Sequence, residues 1–88
     1  MNWHNMDLSH IFEKIWDDFQ KYIPDDFEPN SVFSDLNAQC TLTAINPKDK
    51  KSNILNYRSN FPTVDIALDA EKYFKHKMYK NERKENEN

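Results

Sequence analysis

Between Leu8 and Ile23 the apolar residues Leu8, Ile11, Phe12, Ile15, Trp16, Phe19, Tyr22 and Ile23 recur at steps of three and four. That spacing gathers them on one stripe of a 3.6-residue helix and leaves Glu13, Lys14, Asp17, Asp18 and Lys21 on the other side. It predicts an amphipathic helix from Asp7 or Ser9 to Ile23. Pro24 ends it, because the residue before a proline is pushed out of the helical region. A helix with an apolar stripe must bury that stripe against another part of the chain. The chain has 88 residues, and one of that size buries about 60 to 65% of the surface its unfolded form exposes. The core must therefore be single and small, and the twelve aromatic residues suit it.

Residues 24–30 (PDDFEPN) combine two prolines and three acids around Phe27, which predicts a loop with one aromatic folded back. Ser31 is placed to cap a short helical turn through Leu36. Gln39 to Ile45 alternates and is rich in threonine, as a strand should be, and Asn53 to Ser59 can return beside it across the polar turn at 46–52. A lone hairpin is barely stable in water, so the first helix is expected to pack across it. After the break at Asn60 to Pro62, Thr63 caps a second helix from Val64 to Met78 or Tyr79, with Ala67, Ala70, Phe74 and Met78 on one face. Its acids come early and its lysines late, which suits the helix dipole. These elements give a small α+β domain over residues 1–80, in the order helix, short helix, β-hairpin, helix, with both long helices on one face of the hairpin. An all-helical domain is the alternative. Residues 81–88 (NERKENEN) have no apolar member and are expected to form a disordered polar tail.

Glycine is absent, which removes the phosphate-cradling loops that need backbone without a Cβ. Eleven asparagines are available for left-handed positions in its place. Cys40 is the single cysteine, so no internal disulfide and no thiolate-rich zinc site can form. That usage suits a reducing compartment, and no apolar run or basic leader suggests a membrane or secretion, so the expected location is the cytoplasm of a host cell. His4, His10 and His76 are scattered, and His10 with Glu13 reads as a surface ion pair. Cys40, within an alternating strand, reads as a small buried hydrophobe rather than a nucleophile. No metal, cofactor or catalytic residue is assigned, and no enzymatic activity is expected.

Charge is segregated along the chain. Residues 1–38 hold eight acids against two bases, Lys14 and Lys21, for a net −6, and the remainder sums to +3. Opposed charge of this kind faces partners more often than substrates. The acids Asp17, Asp18, Asp25, Asp26 and Glu28 lie among Trp16, Phe19, Phe27 and Phe33, which could anchor an interface that the charges steer. The expected protein-binding group is Trp16, Asp17, Asp18, Asp25, Asp26, Phe27 and Glu28. The basic run holds Lys72, Lys75, Lys77, Lys80, Arg83 and Lys84 interleaved with Tyr73, Phe74 and Tyr79, a pattern that can hold a phosphate backbone. It could equally pair with the acidic first helix, in the same chain or in a homodimer.

Residues 61–74 (FPTVDIALDAEKYF) resemble a stretch near the C-termini of phage and prophage replication-initiation proteins of the DnaD-like kind, through Pro62, Asp65, Ala70, Glu71, Lys72 and Phe74. The resemblance covers under a fifth of the chain, without the tryptophan-rich end of that family and without room for its domain. It implies a phage or mobile-element origin near replication and transfers no binding residue. The function expected is therefore a non-enzymatic, phage-type inhibitor or adaptor. Its acidic aromatic face would dock on a protein with a basic surface, such as one that handles nucleic acid. The alternative is a small nucleic-acid-binding replication accessory protein that uses the basic helix.

Overall fold

The computed structural model describes residues 8–49 and 54–86, with side chains described through residue 79. Its elements are α1 (Ser9–Tyr22), β1 (Glu28–Ser34), β2 (Gln39–Ile45), β3 (Leu55–Asn60) and α2 (Val64–Asn86). The sheet is antiparallel in the order β1-β2-β3. The architecture is thus the expected α+β domain, helix first and helix last.

The helix ends follow local chemistry. Ile23 turns to an extended conformation (φ −87°, ψ 142°) directly before Pro24, which closes α1. At the head of α2, Thr63 Oγ1 accepts the Ile66 N–H at 3.2 Å and the Thr63 carbonyl accepts from Ala67 at 3.1 Å, as a capping threonine should. α2 continues to Asn86, past the expected end at Met78 or Tyr79.

The short helical turn expected from Ser31 to Leu36 is corrected: Ser31 to Ser34, with the end of the expected loop, belong to strand β1, and Asp35 and Leu36 enter the turn that follows. The cause is cross-strand bonding. Ser31 does not cap a helix; its N–H and Oγ meet Thr43 Oγ1 of β2 at 3.1 and 2.7 Å. Pro29 pairs with Ala44 and Ser31 with Thr43, so Asn30 is an extra residue, a β-bulge. The bulge keeps both Pro29 and Val32 on the core face, which simple alternation would forbid. β2 and β3 form the expected hairpin, in register from Gln39 with Asn60 to Ala44 with Leu55. β3 starts two residues later than expected, and Asn53 lies outside the described residues.

At the β1–β2 turn, Asp35 Oδ1 accepts the N–H groups of Asn37 (2.9 Å) and Gln39 (3.2 Å). The turn needs a left-handed residue, and Ala38 takes that position with φ 62°. The expectation that asparagine would do so is corrected here. Ala38 is only 8% exposed and its carbonyl accepts from the Phe61 N–H at 2.8 Å, so an amide side chain would be buried without room for its partners.

Phe12, Trp16 and Phe19 of α1 and Ala70 and Phe74 of α2 meet Val32, Cys40, Leu42 and Ala44 in one core. Alternate residues of β2 face the helices, so both helices cover the same side of the sheet. Fully buried Ala67 and Ala70 let α2 lie close, and Phe74 reaches to within 6.1 Å of the Trp16 ring and 6.2 Å of Phe12. The other side of the sheet carries Thr41 between Phe33 and Arg58, and Thr43 between Ser31 and Asn56, with neither described helix over it.

Candidate functional site

The acidic turn is built by the end of α1. Once Pro24 stops the helix, its carbonyl accepts the Phe27 N–H at 3.0 Å, closing a tight turn with Asp25 and Asp26 at its exposed corners. Phe27 is half-buried against the core, and Glu28 opens β1 opposite Ile45. Asn46 then ties the turn to the β2–β3 loop: its Nδ2 donates to Asp26 Oδ2 at 3.3 Å while its Oδ1 accepts the Lys48 N–H at 2.9 Å. Asp25, Asp26, Phe27, Glu28, Pro47 and Lys48 line one shallow cleft of about 230 Å³. Three carboxylates and one phenyl ring thus share a surface with a single described cation, Lys48.

The other members of the expected contact group fare differently. Trp16 is 5% exposed and stacked on Phe74, so it belongs to the core and is removed from the surface group; Phe19, fully buried, goes with it. The apolar stripe of α1 already placed Trp16 between Phe12 and Phe19. Asp17 is exposed and Asp18 half-exposed on α1. Both lie three or four residues from Lys14 and Lys21, which offsets their charge along the helix surface. Phe33 is 50% exposed, on the open side of the sheet.

The basic helix is partly neutralised by its own chain. Lys77 Nζ lies 2.9 Å from Glu13 Oε1 of α1, and the Tyr73 hydroxyl donates to the same carboxylate. Those two hydrogen bonds, Tyr73 first, hold the Glu13 carboxyl below its usual range. The pairing of the basic run with the first helix, one of the alternatives left open by the sequence, occurs within the chain at Lys77, and Glu13 meets these residues of α2 rather than serving as the surface partner expected for His10. Lys75 pairs with Glu71 at 3.0 Å, and Lys72 is exposed. The side chains of Lys80, Arg83 and Lys84 lie outside the described ones. The link from Glu13 to Tyr73 was missed in the sequence, where sixty residues separate them and no local spacing signals the contact.

Cys40 is 1% exposed, and burial, with a lesser push from the Glu71 charge, drives its thiol up to about 12. A thiol held protonated and out of reach is a packing residue. Burial raises the Glu71 carboxyl, but hydrogen bonds from Ser34 Oγ (2.5 Å) and Lys75 outweigh it and leave the group below its usual range. No cluster of three potential metal ligands occurs among the described residues, and no described helix is long and apolar enough to cross a membrane.

The residues behind the DnaD-like resemblance open α2: Pro62, Asp65 and Lys72 are exposed, Ala70 and Phe74 enter the core, and Glu71 bonds Ser34. No protein-family model, curated protein or solved structure matches the chain.

Proposed function

We propose that this is a non-enzymatic protein that binds another protein, and that the acidic turn around Phe27 is its contact surface. The observation that carries the proposal is the cleft in which Asp25, Asp26 and Glu28 surround a half-buried phenyl ring. Carboxylates steer a basic partner into place, while an aromatic ring anchored in the core supplies apolar contact at little cost in lost freedom. The partner is a protein with a basic, nucleic-acid-type surface, and the outcome is inhibition or assembly at that surface. A cytoplasmic setting and a phage or mobile-element origin belong to the same proposal, supported by the lone cysteine and by the resemblance at 61–74. Direct nucleic-acid binding through α2 stands second, because Lys75 and Lys77 already have carboxylate partners.

The test is charge reversal. Asp25→Lys with Asp26→Lys should weaken partner binding about tenfold and slow association, with the effect shrinking as salt rises. Asp17→Lys with Asp18→Lys should do less, because Lys14 and Lys21 already offset those charges. Unchanged affinity in the Asp25 and Asp26 variant would remove the acidic turn from the interface.

A further inference from the structure

On the side of the sheet that neither described helix covers, cross-strand pairing sets Phe33, Thr41 and Arg58 in one row. Asn56 and Asn60 stand on the same side, before and after Arg58 along β3. Phe33 is 50% exposed, and Asn56, Arg58 and Asn60 are exposed. A single exposed ring would mean little by itself. Here it shares a row with a guanidinium that has no ion pair among the described residues, and no described hydrogen bond engages the side chains of Asn56 and Asn60.

Charge sets this side apart from the rest of the molecule. The chain has fifteen acids and only two arginines, yet the strand residues in the rows of Thr43, Thr41 and Gln39 include Arg58 and no acid. The nearest carboxylates are at the margins. Glu28 lies one row beyond Ser31, opposite Ile45, and Asp35 lies in the turn beside Gln39, its Oδ1 occupied by two backbone N–H groups.

We infer that this side binds single-stranded nucleic acid, with a base stacked on the Phe33 ring, a neighbouring phosphate on Arg58, and the amides of Asn56 and Asn60 on base edges. Stacking on an aromatic ring suits any base, because each has a π face. A guanidinium offers phosphate a fork of donors. Phe33 and Arg58 lie two strand spacings apart, about 10 Å at the backbone, which their side chains and one nucleotide can span. A duplex fits worse, since its bases are stacked on one another and offer the ring no face. A protein fits worse too, because the centre of a protein interface needs several apolar anchors, and Phe33 stands alone among hydroxyl, amide and guanidinium groups. The inference does not depend on the acidic turn. Nor does it use the basic run of α2, a helix that packs on the other side of the sheet.

Fluorescence anisotropy of labelled oligothymidylate and oligouridylate of about twelve nucleotides, titrated with the full chain at low and high salt, tests this. The contacts read base faces and phosphates, so both probes should bind alike, and an unlabelled duplex of the same length should compete poorly. Phe33→Ala and Arg58→Gln should each weaken binding about tenfold, and Phe33→Tyr should retain it. Arg58→Gln should also lower the slope of log affinity against log salt by about 0.7. Asp25→Lys with Asp26→Lys should not weaken it, which separates this site from the protein contact. Circular dichroism checks that each variant is folded. Absence of binding at low salt, a duplex that competes as well as the single strand, or affinity unchanged by Phe33→Ala and Arg58→Gln would overturn the inference. So would binding lost only on Lys80→Glu with Arg83→Glu and Lys84→Glu, or a Phe33→Ala variant that loses a protein partner and keeps the oligonucleotide.

Discussion

Ala38 holds a conformation that a side chain with a Cβ resists, at a cost of about 1 to 2 kcal/mol. In a chain without glycine the strain falls on the smallest residue available, and the buried position excludes the neighbouring asparagine type. Ala38→Gly should accordingly raise stability by about 1 kcal/mol, seen as a higher thermal midpoint, because relief of the Cβ clash exceeds the added freedom of the unfolded chain. A lower midpoint would mean that the Ala38 methyl contributes more to packing than its strain removes. At the same scale, Cys40 should react with thiol reagents only at the rate of global or local opening, since its sulfur is buried and its proton tightly held. Fast modification of the native protein would contradict that burial.

Elements were legible where one period rules and hidden where it is broken. The steps of three and four from Leu8 to Ile23, closed by a proline, defined α1 almost to the residue, and Thr63 marked the start of α2 in the same way. β2 was legible from its alternation. β1 was not, because Pro29 and the bulged Asn30 shift the face in mid-strand, and because serine at position 31 suits a helix cap as well as a cross-strand bond to Thr43. Contacts between distant elements left no local trace either, as at Glu13, Tyr73 and Lys77. That link has a pH signature. A carboxylate whose folded pKa is depressed contributes stability above its ordinary value of 4.5 and loses it as pH falls through the folded value. Wild type should therefore exceed Glu13→Gln in thermal midpoint at neutral pH, and the gap should close below pH 4.5. A gap that persists under acid would mean that the carboxylate charge contributes nothing to the link.

On the scale of the whole molecule, folding redistributes what the chain order suggested. The acidic half does not form one continuous face: Glu13 is taken up by α2, Asp17 and Asp18 share α1 with two lysines, and Asp25, Asp26 and Glu28 remain together around Phe27. The candidate surface was thus legible in its acids and in Phe27 but not in Trp16, whose ring the core needs. The opposed charge of the two halves serves in part to join the helices, and only the remainder is left to meet a partner. The acidic turn is the part of that remainder proposed to meet a basic protein.

The most direct test of the acidic turn compares affinity capture from host-type lysate by three forms of the protein, each with and without nuclease: wild type, Asp25→Lys with Asp26→Lys, and Lys80→Glu with Arg83→Glu and Lys84→Glu. The account predicts a partner protein that wild type and the basic-helix variant retain after nuclease treatment and that the acidic-turn variant loses. Capture that survives reversal of Asp25 and Asp26, and disappears with nuclease or with reversal of the basic residues, would contradict it.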